Sequence, residues 1–402
     1  MKNKKQKNNK ISKVQYQALG FALAGLLINF WAWSLLSPLG VKLASDFNLT
    51  TTSLSLVLAL PVLIGAAGRI VLGSLTDKYG GKLMFGLVSL FMLLPVIGMT
   101  YAVGTSHLVA VAILLGVGGA SFAVGVPFIN GWFPPEKRGL AIGLYSMGNI
   151  GTAVSGFMTP QLSQSVGHKA PFLVVAILLL AIAFMFFYFA KNPPGWKPSK
   201  SSAVQLLKES LRLRITRDLS IIYLITFGAY VAFGVYLPVI LKTQHNLELT
   251  DAAARSAGFI AIATLGRPIG GWLSDKIGAK RIIPYCLLII SGLSMYIAFL
   301  PTLSMYATIA YLSLALILGC SNGAVFALVG RRSPTKLVGS IGGIVGAIGG
   351  LGGFLPPLIL GATYQTTNSY SLAFAGLSLS SGLVMLYSIR SFRNIQIYPD
   401  KF

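Results

Sequence analysis

Arg69 and Arg267 are basic residues that lie inside long apolar stretches of this sequence. A guanidinium presents a planar fork of N–H donors that matches two oxygens of one anion at once. At the centre of a bilayer such a charge costs about 2.5–3.5 kcal/mol on insertion scales, so a buried arginine needs a partner. The nine acidic residues all fall in loops, tails or helix ends. A small oxyanion shared by both arginines is therefore predicted, and the alternative is packing of each guanidinium against backbone carbonyls.

The two arginines occupy equivalent positions of an internal repeat. Residues 68–82 read GRIVLGSLTDKYGGK and residues 266–280 read GRPIGGWLSDKIGAK. Each arginine precedes the aspartate of its repeat by eight residues, which is about 12 Å of helix. In an apolar core about 30 Å thick, both side chains are predicted near the midplane. Parallel repeats of this kind form one class of transporter fold.

The composition is that of an integral membrane protein. Of 402 residues, 54% are hydrophobic and 10% are charged, whereas soluble domains carry about 25% charged residues. Each predicted spanning helix needs about 20 mostly apolar residues. Twelve apolar runs meet this requirement, six on each side of a polar linker, near residues 16–41, 53–75, 83–104, 107–130, 139–162, 170–190, 218–241, 252–274, 282–301, 304–329, 338–364 and 370–389.

The basic residues predict the topology. With both termini on one side, 26 of the 32 Lys and Arg fall on that side and four on the other, which places both termini in the cytoplasm. The same clustering between apolar runs argues against a nucleic-acid partner despite a net charge of +23. Cys286 and Cys320 lie in apolar runs without metal-site spacing, so no metal or cofactor is expected. The predicted parts are a basic tail (1–15), a six-helix bundle (16–190), a cytoplasmic linker (191–217), a second six-helix bundle (218–390) and a C-terminal tail (391–402).

Glycine-rich helices form a second signal. Residues 339–353 read GSIGGIVGAIGGLGG, and the equivalent run of the first half reads GLAIGLYSMGNIG over 139–151. Such glycines allow close helix packing, and bare backbone is also suited to lining a narrow substrate path. Asn149 is a candidate donor to an anion, or else an interhelical hydrogen-bonding residue. The glycines singled out are Gly143, Gly148, Gly151, Gly343, Gly346, Gly349, Gly350 and Gly353.

The repeated Gly-x-Leu-x-Asp-Lys-x-Gly motif lies at the predicted cytoplasmic helix ends. Its aspartates are candidates to pair with basic groups across a cytoplasmic gate, and the alternative is a turn with orienting charges. The motif residues are Gly73, Asp77, Lys78 and Gly80 in the first copy and Gly271, Asp275, Lys276 and Gly278 in the second.

The sequence resembles the major facilitator superfamily, and within it the shorter, bacterial assimilatory kind of nitrate/nitrite porter. The repeated arginine motif carries this resemblance, together with residues 116–151, TFGAYVAF at 226–233 and the segment 321–357. The resemblance implies twelve transmembrane helices in two six-helix pseudo-repeats, with an anion clamped by Arg69 and Arg267. Further ligands implied by matching family positions are Asn149, Tyr223, Phe122 and Phe227. The fourth helix is more apolar here, at 122–128, than the Asn/Ser-rich helix of larger members.

A secondary transporter of nitrate, nitrite or both is therefore expected in the cytoplasmic membrane, working by alternating access as a monomer. Exchange of one anion for another and proton symport both remain open. The alternatives are a porter for formate, cyanate or a monocarboxylate, and an anion sensor that does not transport. An enzyme is not expected, because no nucleophile, metal set or acid/base pair lies in a suitable place.

Overall fold

The chain folds into helices joined by short turns. The computed structural model describes residues 12–49, 51–199, 201–299, 302–353, 363–364 and 366–393. Within these ranges the regular structure is helical and contains no strand, as the all-α prediction requires. The tails 1–11 and 394–402 lie outside the described residues, as does 354–362, the end of the predicted eleventh run.

The helices are numbered in chain order. Before the polar linker they are α1 (Lys13–Trp33), α2 (Gly40–Asp46), α3 (Thr51–Tyr79), α4 (Gly81–Phe91), α5 (Leu93–Met99), α6 (Thr105–Ala120), α7 (Phe122–Trp132), α8 (Arg138–Ser146), α9 (Gly151–Ser165) and α10 (Ala170–Tyr188). From the linker onward they are α11 (Ala203–Arg212), α12 (Arg214–His245), α13 (Leu249–Leu273), α14 (Ala279–Ala298), α15 (Met305–Arg332), α16 (Val338–Gly352) and α17 (Ser371–Arg393).

Many helices carry large apolar side chains on their exposed surface. On α10, the side chains of Leu173, Ile177, Leu180 and Phe184 are more than half exposed and recur every three to four residues. This spacing places them on one helix face, and an apolar outward face is suited to lipid rather than water. Ten segments of the described chain are long and apolar enough to cross a membrane.

The described chain has ten candidate membrane segments and the sequence has twelve apolar runs, and two features of the helices account for the difference. One segment, Ala254–Ala298, covers 45 residues and contains both α13 and α14. The predicted fifth run is interrupted by the 3-10 turn Met147–Ile150 between α8 and α9, so neither piece is long enough to span by itself. Twelve membrane crossings stay a prediction.

The internal repeat extends to the backbone. Gly80 and Gly278, which occupy equivalent motif positions, have φ angles of 85° and 92°. Glycine tolerates this left-handed conformation because it has no Cβ atom. The helix before Gly80 remains α-helical to its end, whereas α13 continues into the π-helical turn Ser274–Gly278. Both copies thus turn sharply at the same motif glycine.

Glycines bring the two halves into backbone contact. Helix α3 packs against α16, and α13 packs against α8. A Cβ atom on Gly143 would lie 2.7 Å from the Arg267 carbonyl oxygen, and one on Gly343 would collide with the Arg69 carbonyl oxygen. Each arginine-bearing helix therefore lies directly against the glycine-rich helix of the other half.

The predicted linker contains a helix, α11, that its polar composition did not predict. Ser202 caps this helix by accepting a hydrogen bond from the Gln205 backbone N–H at 3.1 Å. Leu206 is fully buried, and the helix packs against α3 and α16. Glu209 forms an ion pair with Lys336, just before α16, at 2.8 Å. The linker is therefore docked onto one helix from each half.

Candidate functional site

Arg69 lies in α3 and is buried with 4% of its surface exposed. Its Nε donates to the carbonyl oxygen of Gly119 in α6 at 3.2 Å. Its Nη1 donates to the carbonyl oxygen of Gly346 in α16 at 2.9 Å. The guanidinium thus contacts backbone carbonyls from both halves of the chain, which is the arrangement that the alternative interpretation of a buried arginine predicts.

Arg267 lies in α13 and is 1% exposed. With the Asn149 amide oxygen facing the guanidinium, that oxygen accepts a hydrogen bond from Nη2 at 3.0 Å and another from Nη1. Asn149 belongs to the 3-10 turn between α8 and α9, in the opposite half. The Nε of Arg267 has no hydrogen-bond partner among the described residues.

One aromatic ring lies beside both guanidiniums. The Phe227 ring centroid is 5.4 Å from Cζ of Arg69 and 5.5 Å from Cζ of Arg267. Tyr223 stacks on Phe227 with centroids 4.7 Å apart and nearly parallel planes. Cation–π contacts attract a guanidinium to a ring face but leave its net charge in place. The structure therefore brings the two repeat-related arginines to a common centre.

Further aromatic side chains line this centre. Phe122 lies 5.7 Å from Cζ of Arg69 and packs edge-on against Phe326, with centroids 4.9 Å apart. Phe326 also packs edge-on against Tyr223 at 5.1 Å. Tyr145 stacks on Phe122 at 5.6 Å and donates its hydroxyl to the Phe122 carbonyl oxygen at 3.0 Å. The six ligands named from the sequence thus belong to one continuous cluster.

Sequence reasoning missed three members of this cluster: Tyr145, Tyr230 and Phe326. Tyr230 lies 4.9 Å from Cζ of Arg267. It follows Tyr223 and Phe227 at helical spacing on α12, a pattern that places all three on one face and would have identified it. No comparable signal singles out Phe326, because the chain contains 23 phenylalanines and no motif or repeat distinguishes this one.

The electrostatic character of the site is cationic. No acidic side chain lies within ion-pair distance of Arg69 or Arg267 in the described part of the chain. Their hydrogen-bond partners are carbonyl and amide oxygens, which are neutral dipoles. Two positive charges therefore share a buried, aromatic-walled centre, and the complementary ligand is a small anion.

The predicted glycines divide into two groups. Three face the site: a Cβ atom on Gly346 would lie 3.2 Å from Cδ of Arg69, one on Gly350 would lie 3.7 Å from its Nη1, and one on Gly349 would collide with Tyr223. The others contact helix backbones or packing side chains away from the guanidiniums. They are Gly143, Gly148, Gly151, Gly343 and Gly353.

The motif aspartates bind helix N-termini of the opposite half. Asp77 accepts hydrogen bonds from the backbone N–H groups of Gly339 and Ser340, at 2.8 and 2.7 Å, and from the Ser340 hydroxyl at 2.8 Å. Asp275 accepts from the N–H groups of Gly139 and Leu140, at 3.0 and 2.8 Å. A carboxylate is favourable there because the N–H groups and the helix dipole both attract negative charge.

These partners differ from the basic groups expected for the gate. Asp275 has a longer contact to a cation, Arg331, at 3.9 Å, and Arg331 belongs to the same half. The motif lysines point to neighbouring rings instead. Lys78 lies 5.0 Å from the Tyr79 ring centroid, and Lys276 lies 4.0 Å from that of Trp272. Gly73 and Gly271 make close backbone contacts with Gly339 and Gly139.

Comparison with known proteins agrees with this architecture. Residues 22–357 match the Major Facilitator Superfamily. The chain is 39% identical over 358 residues to the probable nitrate/nitrite transporter NarK2 of Mycobacterium tuberculosis, covering 88% of this chain and 91% of that protein. It is 39% identical over 364 residues to the nitrite extrusion protein of Bacillus subtilis, covering 90% and 91%.

A solved structure supports the fold. The proton:xylose symporter XylE superposes with a TM-score of 0.76 at 16% identity, covering 96% of this chain and 97% of that one. Together with the apolar spanning segments, these similarities identify a multi-pass transporter of the cytoplasmic membrane rather than an enzyme. The chain belongs to the Major Facilitator Superfamily and, within it, to the nitrate/nitrite transporter family.

Proposed function

We propose that this protein carries nitrate, nitrite or both across the cytoplasmic membrane, with the anion bound between Arg69 and Arg267. The main supporting observation is that two buried guanidiniums, one from each half, lie over the same Phe227 ring. Their neutral partners orient them without cancelling their charge. A planar oxyanion supplies both the negative charge and the oxygens that guanidinium forks bind. The names of the relatives from Mycobacterium tuberculosis and Bacillus subtilis favour nitrate and nitrite among such anions.

The division of the site between the two halves supports transport by alternating access. Arg69 belongs to the first half and Arg267 to the second, so an anion that binds both joins the halves. Without it, the two positive charges repel each other across a medium of low dielectric constant. Rocking of one bundle against the other would then expose the same central site to each side of the membrane in turn.

The aspartates at the helix N-termini are proposed as the cytoplasmic gate. Asp77 joins α3 to α16, and Asp275 joins α13 to α8, so each contact bridges the two halves. Opening toward the cytoplasm would break both sets of hydrogen bonds at once. This role accords with the motif's repeat-related positions and with a topology of twelve helices, cytoplasmic termini and the five parts predicted from the sequence.

We favour anion exchange as the coupling mode. Closure around an empty site leaves the guanidinium charges uncompensated, which disfavours reorientation without a bound anion. Nitrate moving inward and nitrite moving outward would satisfy this requirement. Proton symport is the rival, and in this chain the acidic residues lie at helix ends, in loops or in tails rather than beside the arginines.

Transport by purified protein in liposomes tests the arginine site. Uptake of labelled nitrate and nitrite should be lost in the Arg69→Ala and Arg267→Ala variants. The matched control is Arg255→Ala, because Arg255 is half-exposed and pairs with Asp251 at the start of α13. Formate and cyanate serve as competing anions. Normal nitrate uptake by either buried-arginine variant would refute the clamp, and displacement of nitrate by formate at equal concentration would refute nitrate selectivity.

A separate measurement tests the coupling. Liposomes preloaded with nitrite should take up labelled nitrate in the absence of a pH gradient. Empty liposomes should take up little nitrate even when a pH gradient is applied. Strong uptake into empty liposomes driven by that gradient would refute obligatory exchange and establish the proton-linked alternative.

A further inference from the structure

We propose that Asn322 of α15 is an additional ligand of the transported anion and favours nitrate over nitrite. Asn322 is 2% exposed, and neither atom of its side-chain amide has a hydrogen-bond partner among the described residues. Buried polar side chains in folded proteins are satisfied in the large majority of cases. This inference rests on the proposed transport function and adds to it a residue that discriminates between substrates.

Asn322 lies at the level of Arg267. Helix α15 packs closely on α13, and a Cβ atom on Gly323 would collide with the Arg267 carbonyl oxygen. One turn earlier, Gly319 makes the same kind of contact with Ala263. Asn322, the residue before Gly323, therefore lies at the same level of α15 as this contact with Arg267.

The helical spacing places Asn322 on the side of α15 that carries Phe326. Residues four apart on a helix are neighbours on one face. The Phe326 ring lies edge-on to Phe122 and Tyr223, both of which border the guanidinium centre. Asn322 therefore lies on the face of α15 that carries Phe326, one turn from the aromatic wall of the site.

The unpaired groups on the two helices are complementary to an oxyanion. Arg267 retains an N–H at Nε, and Asn322 retains two N–H donors at Nδ2. An oxygen that accepts from both would satisfy donors on α13 and α15 together. Nitrate has three oxygens and nitrite has two, so the two arginines can engage both nitrite oxygens while nitrate presents one more. Asn322 is assigned to that additional oxygen.

Binding measurements separate this assignment from a packing role. Kd values for nitrate and nitrite are measured by calorimetry on the full-length protein in detergent. In the Asn322→Ala variant the Kd for nitrate should rise roughly tenfold to hundredfold, the loss of one hydrogen bond to a charged partner. The Kd for nitrite should change less than about threefold, because Asn322 is not assigned a hydrogen bond to nitrite that the substitution would remove.

The matched control is Asn130→Ala. Asn130 is also 2% exposed, carries an unpartnered amide oxygen and contacts Gly330 near the end of α15 rather than the guanidinium centre. Its truncation should leave the ratio of the two Kd values unchanged. If Asn322→Ala fails to fold, Asn322→Ser preserves a hydroxyl donor and should retain part of the preference for nitrate.

The outcomes distinguish this inference from the proposed function. If Asn322→Ala binds both anions with the same nitrate Kd and the same nitrite Kd as the wild-type protein, the role of Asn322 is overturned. The proposed transport function would stand. Absence of binding of either anion to the wild-type protein would overturn the proposed function itself. A parallel loss of nitrate and nitrite affinity in Asn322→Ala would also overturn the selectivity assignment.

Discussion

Arg267 and Asn149, which belong to opposite halves of the chain, are joined by hydrogen bonds from both terminal guanidinium nitrogens to one amide oxygen. This contact links the π-helix-ended α13 to the turn that interrupts the fifth apolar run. A neutral acceptor at this position fixes the orientation of the guanidinium while preserving its charge. The identity of residue 149 therefore controls how much positive charge the site presents to an anion.

Replacing Asn149 with aspartate should weaken anion binding. The new carboxylate would form a buried ion pair with Arg267 and neutralise one of the two positive charges. We expect nitrate uptake in liposomes to fall by at least about tenfold, equivalent to about 1.4 kcal/mol. The Asn130→Asp variant is the control for burying a carboxylate elsewhere. Retention of normal uptake by Asn149→Asp would contradict the proposed electrostatics.

Replacing Arg69 with lysine should inactivate the protein although the charge is kept. Arg69 uses Nε and Nη1 to contact carbonyl oxygens on α6 and α16, and one ammonium group cannot reproduce that planar geometry. The loss of about one hydrogen bond predicts a decrease in unfolding free energy of about 1 kcal/mol. Uptake assays and thermal melts on Arg69→Lys and Arg255→Lys measure both effects. Equal uptake by the two variants would show that charge alone suffices.

Adding a methyl group at Gly143 should disrupt the contact between α8 and α13. Its Cβ atom would lie 2.7 Å from the Arg267 carbonyl oxygen, so the helices must separate. Overpacking of this kind costs about 1–3 kcal/mol, which a lower Tm of Gly143→Ala should report. The control is Gly156→Ala in α9, where a Cβ atom meets no heavy atom within 4 Å. Identical Tm values for the two variants would contradict the close packing.

Removing the charge of Asp77 should loosen the first turn of α16. The carboxylate accepts three hydrogen bonds there, and asparagine retains only one side-chain acceptor oxygen. Hydrogen exchange at the Gly339 and Ser340 amides should therefore become faster in Asp77→Asn. Asp251→Asn changes a half-exposed aspartate at the start of α13 and should leave that exchange rate unaltered. Unchanged protection in Asp77→Asn would show that the contact between residue 77 and α16 does not depend on charge.

The sequence predicted the pair of arginines because a charged residue in an apolar run is rare. The repeat also places the two arginines at equivalent depths in the membrane. Arg69 and Arg267 stood out among 32 basic residues for that reason. Phe326 did not, because aromatic side chains occur throughout packed helices, and only its contacts with Phe122 and Tyr223 show that it borders the site. The partners of Asp77 could not be predicted either, because every non-proline residue has a backbone N–H group and the sequence does not show which of them it binds. The all-helical fold, by contrast, followed directly from the apolar runs.

Helix α11 stabilises the contact between one helix of the first half and one helix of the second. It rests on α3 and α16, the helices that Asp77 joins, and its Leu206 is fully buried there. Separation of those helices would strip α11 from one of them and return Leu206 to water, at about 1.5–3 kcal/mol. Under the proposed alternating-access motion, we therefore expect α11 to favour the form in which α3 and α16 stay in contact, whether or not an anion is bound. Shortening or unfolding α11 is then expected to shift the resting population toward the form in which α3 and α16 are separated, without changing any residue of the proposed anion site.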